Sequence, residues 1–232
     1  MKSIEWADIT LNAVVGCHRG CPYCYAKKIN DRFHFIKDFN KPQVFIERLE
    51  KLNHIKNKKI FMNSMSDIEY FDGKTIRILH DYMSENNSNT YIFLTKNPYA
   101  LPLWHEKSNF LTAIQMQDTC NRVKFGITIT TQKQADEYYY YLKHNHTYSD
   151  IYKIVNIEPI LQKIKLKKFR YFKNTGKDTK PDLIILGAET GNRKNKVIPK
   201  REWIEDIIDF CKKYNIELFL KENIKKYLNK VE

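Results

Sequence analysis

The sequence of 232 residues has no apolar run that approaches the length of a membrane-spanning helix, which needs about 18 residues or more. Its first residues, MKSIEWADIT, lack the charged and apolar regions of a secretory signal. Neither an internal repeat nor a low-complexity linker divides the chain, and its length allows one domain of ordinary size. We therefore expect a single soluble, cytoplasmic domain over residues 1–232 with no membrane partner.

Cysteine is scarce, and its pattern argues against a disulfide framework. The total of five is odd, so that one thiol would remain unpaired in any set of bridges. Cys17, Cys21 and Cys24 lie within eight residues of one another. Cys120 and Cys211 are isolated, and we expect both to be small buried apolar residues.

The spacing of the three clustered cysteines indicates a metal centre. Gaps of three and two residues let one loop direct three sulfurs toward a common point, as an iron–sulfur cube with three protein-held irons requires. Zinc is the alternative, since His18 or His34 could complete a Cys3His set. Zinc sites usually also have a distant second C-x2-C pair, and this sequence has none. The spacing favours a [4Fe–4S] cluster and leaves zinc open.

Acidic residues are outnumbered, with 27 Asp and Glu against 40 Lys and Arg, which gives a formal net charge of +13. Such an excess favours a polyanionic partner, because Lys and Arg release counterions when they meet phosphates. A lysine-rich, solvated surface explains the same composition. The stretch 161–173 alternates basic with apolar or aromatic residues, a pattern that suits stacking on bases. It also suits an element edge with extended lysines.

Seven short apolar runs, separated by helix-length segments, predict parallel strands that are buried on both faces. The predicted strands are 12–16, 59–63, 90–95, 123–129, 152–157, 182–187 and 216–220. The predicted helices are 31–35, 44–52, 74–86, 132–143 and 201–214. The fold class is α/β, and an open, partial (β/α)6-type TIM barrel suits this length better than a closed barrel of about 250 residues.

Polar residues follow each predicted strand, where parallel α/β folds place their chemistry. Each also has a structural interpretation: residues 63–67 suit a helix cap, 158–159 a turn and 187–191 a glycine-containing loop. Their common position favours a functional site. The candidates are Asn63, Ser64, Ser66, Asp67, Lys96, Thr128, Thr130, Glu158, Glu189 and Lys221.

The cysteine loop, with Tyr23 just before its last cysteine, resembles that of the radical S-adenosylmethionine (SAM) superfamily. Fragments along nearly the whole chain are similar, in order, to the phage Gp37/Gp68-like (DUF5131-type) proteins and more distantly to spore photoproduct lyase-like enzymes. These fragments are IEWADITLNAVVGC, CPYCYA, FMNSMSD, FLTKNP, FGITIT, NIEPIL, DLIILGAETG and ELFLKEN.

The resemblance implies a partial barrel of the radical SAM kind and an enzyme of that superfamily. In it, a [4Fe–4S] cluster on Cys17, Cys21 and Cys24 would reductively cleave SAM to a 5′-deoxyadenosyl radical, which abstracts hydrogen from a substrate. A one-electron reductant of the flavodoxin or ferredoxin type would supply the electron. The implied SAM contacts are Tyr23, Asn63, Ser64, Ser66, Asp67, Thr128 and Thr130, and Lys96, Glu158, Glu189 and Lys221 would serve the SAM carboxylate or the substrate.

The substrate class follows from charge and from the more distant resemblance. The basic balance and the likeness to spore photoproduct lyase-like enzymes favour a nucleic acid or a nucleotide. The alternative function is a non-catalytic, basic nucleic-acid-binding protein with a structural Cys3His zinc site.

Overall fold

The computed structural model describes residues 4–108, 122–145, 151–169, 171–172 and 177–228. The chain divides into two compact units, with the boundary between Phe125 and Gly126. Both units combine apolar strands with helices, which confirms the α/β class. Cys120 and part of the loop predicted at 173–181 lie outside the described residues. Within the described residues, no helix has the length and apolar character needed to cross a membrane.

Seven strands build one open parallel sheet. The strands are β1 (Ile9–Thr10), β4 (Lys59–Phe61), β5 (Thr90–Thr95), β6 (Val123–Thr128), β7 (Tyr152–Ile157), β10 (Leu183–Leu186) and β11 (Glu217–Leu220). They are adjacent in that order, and β6 contains the boundary between the units. Among the described residues β1 and β11 are edge strands that do not pair with each other, which agrees with a partial rather than a closed barrel.

The remaining strands form two small antiparallel pairs. In the first unit β2 (Val14–Val15) pairs with β3 (Gln43–Val44), and in the second unit β8 (Tyr171–Phe172) pairs with β9 (Lys177–Asp178). The predicted first sheet strand at 12–16 was therefore wrong, because Ile9–Thr10 pairs with Ile60 and Phe61 instead. Val14 and Val15 are fully buried and so have the apolar pattern of an inner strand, but that pattern does not specify the pairing partner.

The helices show where local sequence determined the ends of elements. The described helices are α1 (Tyr25–Phe33), α2 (Gly73–Glu85), α3 (Ala100–Ser108), α4 (Gln132–His144), α5 (Arg201–Tyr214) and α6 (Glu222–Lys225), with 3₁₀ helices at Ile46–His54 and Ile68–Tyr70. The Asp72 carboxylate accepts a hydrogen bond from the Thr75 N–H at 2.7 Å, and Thr131 caps α4 in the same way. The predictions at 74–86, 132–143 and 201–214 are thereby confirmed to within two residues.

The prediction of a helix at 31–35 was wrong, because α1 begins earlier. The Cys24 sulfur accepts a hydrogen bond from the Lys27 N–H at 3.3 Å and so caps the first turn. Cysteine is not among the usual capping residues, so this position carries no recognisable start signal. The segment predicted as a helix at 44–52 is the 3₁₀ helix Ile46–His54.

Each unit has its own aromatic core. In the first unit Trp104 packs on Phe71, Phe93 and Phe125 with ring centroids 5.7 to 5.8 Å apart. In the second unit Tyr152 packs edge-on against Tyr138 and Tyr141 at 5.9 and 5.8 Å. Aromatic pairs at such distances are favourable beyond their burial alone. These cores support the sheet on which the polar residues described below are placed.

Candidate functional site

The cysteine loop is anchored to the first unit at its start. The Gly16 N–H donates to the Met65 carbonyl at 3.0 Å, and the Cys17 N–H donates to the Phe39 carbonyl at 2.7 Å. Gly16 has a φ of 115°, and a Cβ there would lie 2.8 Å from the Pro42 Cα. Only glycine permits both that backbone conformation and that close approach. Cys17, the first candidate ligand, is therefore held in a fixed position at the start of the loop.

The three clustered thiols are half-buried and free of disulfides. The Cys24 N–H donates to the Cys21 carbonyl at 3.0 Å, which closes a tight turn between the second and third cysteines. Cys17 and Cys24 both pack against one apolar cluster that includes Ile36 and Met65. Burial raises the pKa of the Cys17 thiol, and the neighbouring Cys24 raises it further. The loop thus brings Cys17 and Cys24 within electrostatic reach of each other.

A hydrogen-bonded chain extends from Cys17 to Arg19. The Cys17 thiol donates to the Tyr70 hydroxyl, with 3.7 Å between Sγ and the oxygen, and Tyr70 also bonds to the Glu69 carboxylate. Arg19 makes a two-pronged contact with Glu69 at 2.9 and 2.8 Å. Burial opposes ionisation of Glu69, but Tyr70 and Arg19 lower its pKa on balance. Burial and these hydrogen bonds raise the pKa of Tyr70, so the phenol stays protonated.

Asp67 is a buried carboxylate that joins three segments of the first unit. It accepts hydrogen bonds from the Thr95 hydroxyl at 2.5 Å, the Lys96 N–H at 2.8 Å and the Glu69 N–H at 3.3 Å. Its nearest cation is Arg19, whose Nε lies 3.7 Å from Oδ2. Burial raises the pKa of Asp67, while the hydrogen bonds and Arg19 oppose that shift. The Asp67 carboxylate therefore has a structural role, because its oxygens are bonded to neighbouring segments.

Lys96 places a cation beside the cysteine loop. Its Nζ lies 5.4 Å from the centre of the Tyr23 ring. Burial works to lower the pKa of Lys96, but Tyr23, Cys21, Asp67 and Cys24 raise it on balance, and the ammonium group stays charged. Lys96 and Tyr23, both predicted site residues, are thus brought together with two of the three thiols.

In the polar segment after β4, some side chains are hydrogen-bonded within the fold and one is not. The Asn63 amide donates to the Leu94 carbonyl at 2.6 Å and accepts from the Leu94 N–H at 3.0 Å, so it pairs with β5. The Ser64 hydroxyl donates to Asn12 Oδ1 at 3.1 Å. The Ser66 hydroxyl is buried and has no hydrogen-bond partner within the described part of the chain. Ser66 is therefore the member of this segment whose hydroxyl has no structural partner among the described residues.

Thr128 and Thr130 lie at the carboxyl end of β6, in the second unit. The Thr128 hydroxyl accepts a hydrogen bond from Asn156 Nδ2 at 3.2 Å, and the Thr130 hydroxyl donates to Gln134 Oε1 at 2.9 Å. Both threonines are buried. The Asn156 Oδ1 atom is also buried and accepts no hydrogen bond from a described residue.

Glu158 and Lys221 form an ion pair across the carboxyl ends of β7 and β11. Their side chains are only 22% and 11% exposed, so the pair is largely shielded from water. Gly187, at the end of β10, leaves the space for it: a Cβ at this position would lie 3.0 Å from both Glu158 Cγ and Lys221 Cδ. The second unit thereby brings two predicted catalytic residues into contact.

Glu189 supports a loop. Arg193 makes a two-pronged contact with its carboxylate at 2.7 and 2.8 Å, and the Val197 N–H donates to it at 3.3 Å. The Arg193 hydrogen bonds lower the pKa of Glu189 against the effect of burial. Glu189 is only 2% exposed, so its carboxylate oxygens contact Arg193 and Val197 rather than water.

The donor set of the cysteine loop fits a thiolate-held cluster in its chemistry. Three unbridged thiols come from one loop, and a charged lysine lies within electrostatic reach of two of them. As they stand, however, the described residues contain no group of three or more His, Cys, Asp or Glu positioned to hold a metal ion. His18 packs edge-on against the Tyr70 ring at 4.7 Å, and His34 caps the end of α1.

In the stretch 161–173, the Phe169 side chain is not exposed to solvent. Phe169 is buried between Tyr139 and Phe210, at 5.8 and 6.1 Å. Lys163 pairs with Asp206 at 2.8 Å and Lys167 with Asp136 at 2.7 Å. Residues 161–169 lie in neither a helix nor a strand, so this part of the stretch is not the element edge that one interpretation predicted. Cys211 is buried, as predicted.

Sequence reasoning did not select Arg19, Glu69 or Tyr70, which surround Cys17. Arg19 and Glu69 are fifty residues apart, and nothing in their local sequence predicts the contact. One signal was present, because a charged residue inside a cysteine loop needs a counter-ion when the loop is half-buried.

A comparison with protein families matches residues 1–229 to the family described as "Protein of unknown function (DUF5131)", and the chain belongs to this family. Neither the curated proteins nor the solved structures contain a match to the chain. The predicted resemblance to DUF5131-type proteins is thereby confirmed. Membership of the radical SAM superfamily stays a prediction.

Proposed function

We propose that this member of the DUF5131 family is a radical SAM enzyme in which Cys17, Cys21 and Cys24 bind a [4Fe–4S] cluster. The proposal depends on one observation: a single loop presents three unbridged thiols, two of them within electrostatic reach of the charged Lys96. When bound, such a cluster supplies the electron that cleaves SAM and so starts hydrogen abstraction from a substrate. A flavodoxin- or ferredoxin-type protein is the proposed reductant.

The surrounding residues have distinct roles in this proposal. Lys96 offsets the negative charge of the bound thiolates, and the Tyr23 ring lies beside it, with its centre 5.4 Å from Lys96 Nζ. The Tyr70 hydroxyl lies 3.7 Å from the Cys17 sulfur and would donate to the bound thiolate in place of Glu69, and hydrogen bonds to ligand sulfurs are among the factors that tune cluster potentials. Ser66 offers the bound SAM a buried hydroxyl that has no partner among the described residues. Asn63 and Asp67 instead hold the segment after β4 against β5 and the residue that follows it.

The proposed substrate is a nucleic acid or a nucleotide. The net charge of +13 supports a polyanionic substrate, because lysine and arginine contacts to phosphate release counterions. The roles predicted for Thr128, Thr130, Glu158, Glu189 and Lys221 belong to the second unit and stay predictions.

Anaerobic reconstitution with iron and sulfide tests the proposal directly. The protein should bind both and, after addition of dithionite and SAM, release 5′-deoxyadenosine. Cys21→Ala should lose the cluster and the product. Cys211→Ala is the matched control, since it removes a buried thiol from α5 in the second unit and should keep both.

Two results would contradict the proposal. The first is a level of 5′-deoxyadenosine that does not exceed that of Cys21→Ala. The second is a colourless protein with one bound zinc and no sulfide, which would instead support the structural zinc site.

A further inference from the structure

Three exposed aromatic rings follow the cysteine loop closely in sequence. Tyr25, Phe33 and Phe35 are 43%, 47% and 46% exposed. Phe33 and Phe35 stack on each other, with ring centroids 5.9 Å apart and planes inclined by 27°. Exposed apolar groups that lie together, rather than singly, mark contact surfaces. We call the exposed part of residues 25–41 the α1 surface.

The two stacked rings are held in place by the chain beneath them. His34 ends α1 with a φ of 52°, and its N–H donates to the Asn30 carbonyl at 2.6 Å. The buried Asn30 side chain bonds to both the N–H and the carbonyl of Ile36, each at 3.0 Å. Residues 31–35 are therefore an exposed segment fixed at both ends. Such an arrangement lowers the entropy lost when a ligand binds.

The α1 surface is basic around these rings. Residues 25–41 contain five Lys and Arg against two Asp. Asp31 pairs with Lys27 at 2.7 Å, and the Arg32 guanidinium lies 5.1 Å from the centre of the Phe33 ring. Lys28, Lys37 and Lys41 are exposed and form no ion pair with another described residue. Unpaired positive charge is therefore available both before and after the stacked rings in the sequence.

We propose that the α1 surface binds single-stranded nucleic acid. Unpaired bases would stack on Phe33 and Phe35, and the phosphates would meet Lys28, Arg32 and Lys37. Aromatic faces combined with basic side chains are the usual means of binding single strands without sequence preference. A duplex would present its phosphates but not its base faces to the rings. This binding requires neither a cluster nor SAM.

The residues at 161–169 provide an internal comparison. That stretch has a similar basic and aromatic composition, but Phe169 is buried and Lys163 and Lys167 have acidic partners. On the α1 surface the rings are exposed, and most of the basic residues have no acidic partner in the described part of the chain. The two stretches are similar in composition but differ in exposure, and this difference favours the α1 surface over residues 161–169 as the site that binds nucleic acid.

Fluorescence anisotropy with a labelled oligothymidylate at low ionic strength tests the proposal on the purified chain without iron or SAM. We expect wild-type protein to bind, and the double variant Phe33→Ala/Phe35→Ala to bind at least about tenfold more weakly, because each stacked base is lost. Arg32→Ala should make binding less dependent on salt: the slope of the logarithm of the binding constant against the logarithm of the salt concentration should become shallower by about 0.7.

Tyr140→Ala is the matched control. Tyr140 is 60% exposed and also packs on a neighbouring ring, that of His144, at 4.1 Å, but it lies on α4 in the second unit. The Tyr140→Ala variant should bind the oligonucleotide as tightly as wild type. Thermal melts should show that all variants are folded.

Three outcomes would overturn the proposal: no binding by wild type, equal binding by Phe33→Ala/Phe35→Ala, or displacement of the oligonucleotide by polyglutamate at equal charge concentration. The last would assign the α1 surface to an acidic polypeptide. Since the assay needs no cluster, its failure is distinguishable from failure of the proposed radical SAM activity.

Discussion

Replacing Asp67 with alanine tests whether this carboxylate has a structural role in the first unit. The change removes the acceptor for the partly buried Lys96 N–H and for the Thr95 hydroxyl, and it removes the cap of the 3₁₀ helix Ile68–Tyr70. A buried donor without a partner costs about 1–3 kcal/mol, and a lost cap about 1 kcal/mol.

Two effects reduce the expected cost. The Thr95 hydroxyl can turn to the Asn97 carbonyl, which lies 3.3 Å away. Alanine also removes a desolvated charge, whose penalty is the reason that the pKa of Asp67 is raised. We therefore expect Asp67→Ala to lower the free energy of unfolding by about 3 kcal/mol. Asp67→Asn keeps an acceptor for the Lys96 N–H and should cost less.

Urea denaturation followed by tryptophan fluorescence measures this change, because Trp104 donates to the Ile68 carbonyl at 2.8 Å in the same core. Asp72→Ala is the matched control: this exposed aspartate accepts hydrogen bonds from the N–H and the side chain of Thr75 at the start of α2, and the loss of this cap should cost about 1 kcal/mol. If Asp67→Ala costs no more than Asp72→Ala, the assignment of Asp67 as a structural carboxylate is wrong.

Two further predictions concern the second unit. Gly187→Ala should lower the free energy of unfolding by about 1–3 kcal/mol, since the new Cβ would crowd Glu158 and Lys221 at 3.0 Å; urea curves identical to wild type would refute that close packing. Arg193 lowers the pKa of Glu189 from its ordinary value of 4.5, so the stabilisation it gives is complete above pH 4.5 and is lost as the pH falls through the lowered pKa. Glu189→Gln should therefore make stability less dependent on pH in that acid range, and an unchanged acid limb in thermal melts would contradict the assignment.

Local sequence was sufficient for much of the fold. The strands at 90–95 and 152–157 were predicted at their observed bounds, because continuous apolar runs of this length are typical of inner parallel strands. Thr131 marked the start of α4 in the same local way. The spacing of Cys17, Cys21 and Cys24 is by itself enough to place three thiols on one loop. Each of these features depends on neighbours within a few residues.

Only the tertiary structure decided which polar residues are available and which are already engaged. Asn63 and Asp67 stood in the same motif as Ser66, yet the first two bond to the backbone of β5 and of the residue after it, while the Ser66 hydroxyl has no described partner. In the same way, Phe33 and Phe169 both lie in basic, aromatic sequence, and of these two only Phe33 is exposed. Contacts such as Arg19 with Glu69, fifty residues apart, leave no local signature, because burial and pairing are set by how distant segments pack.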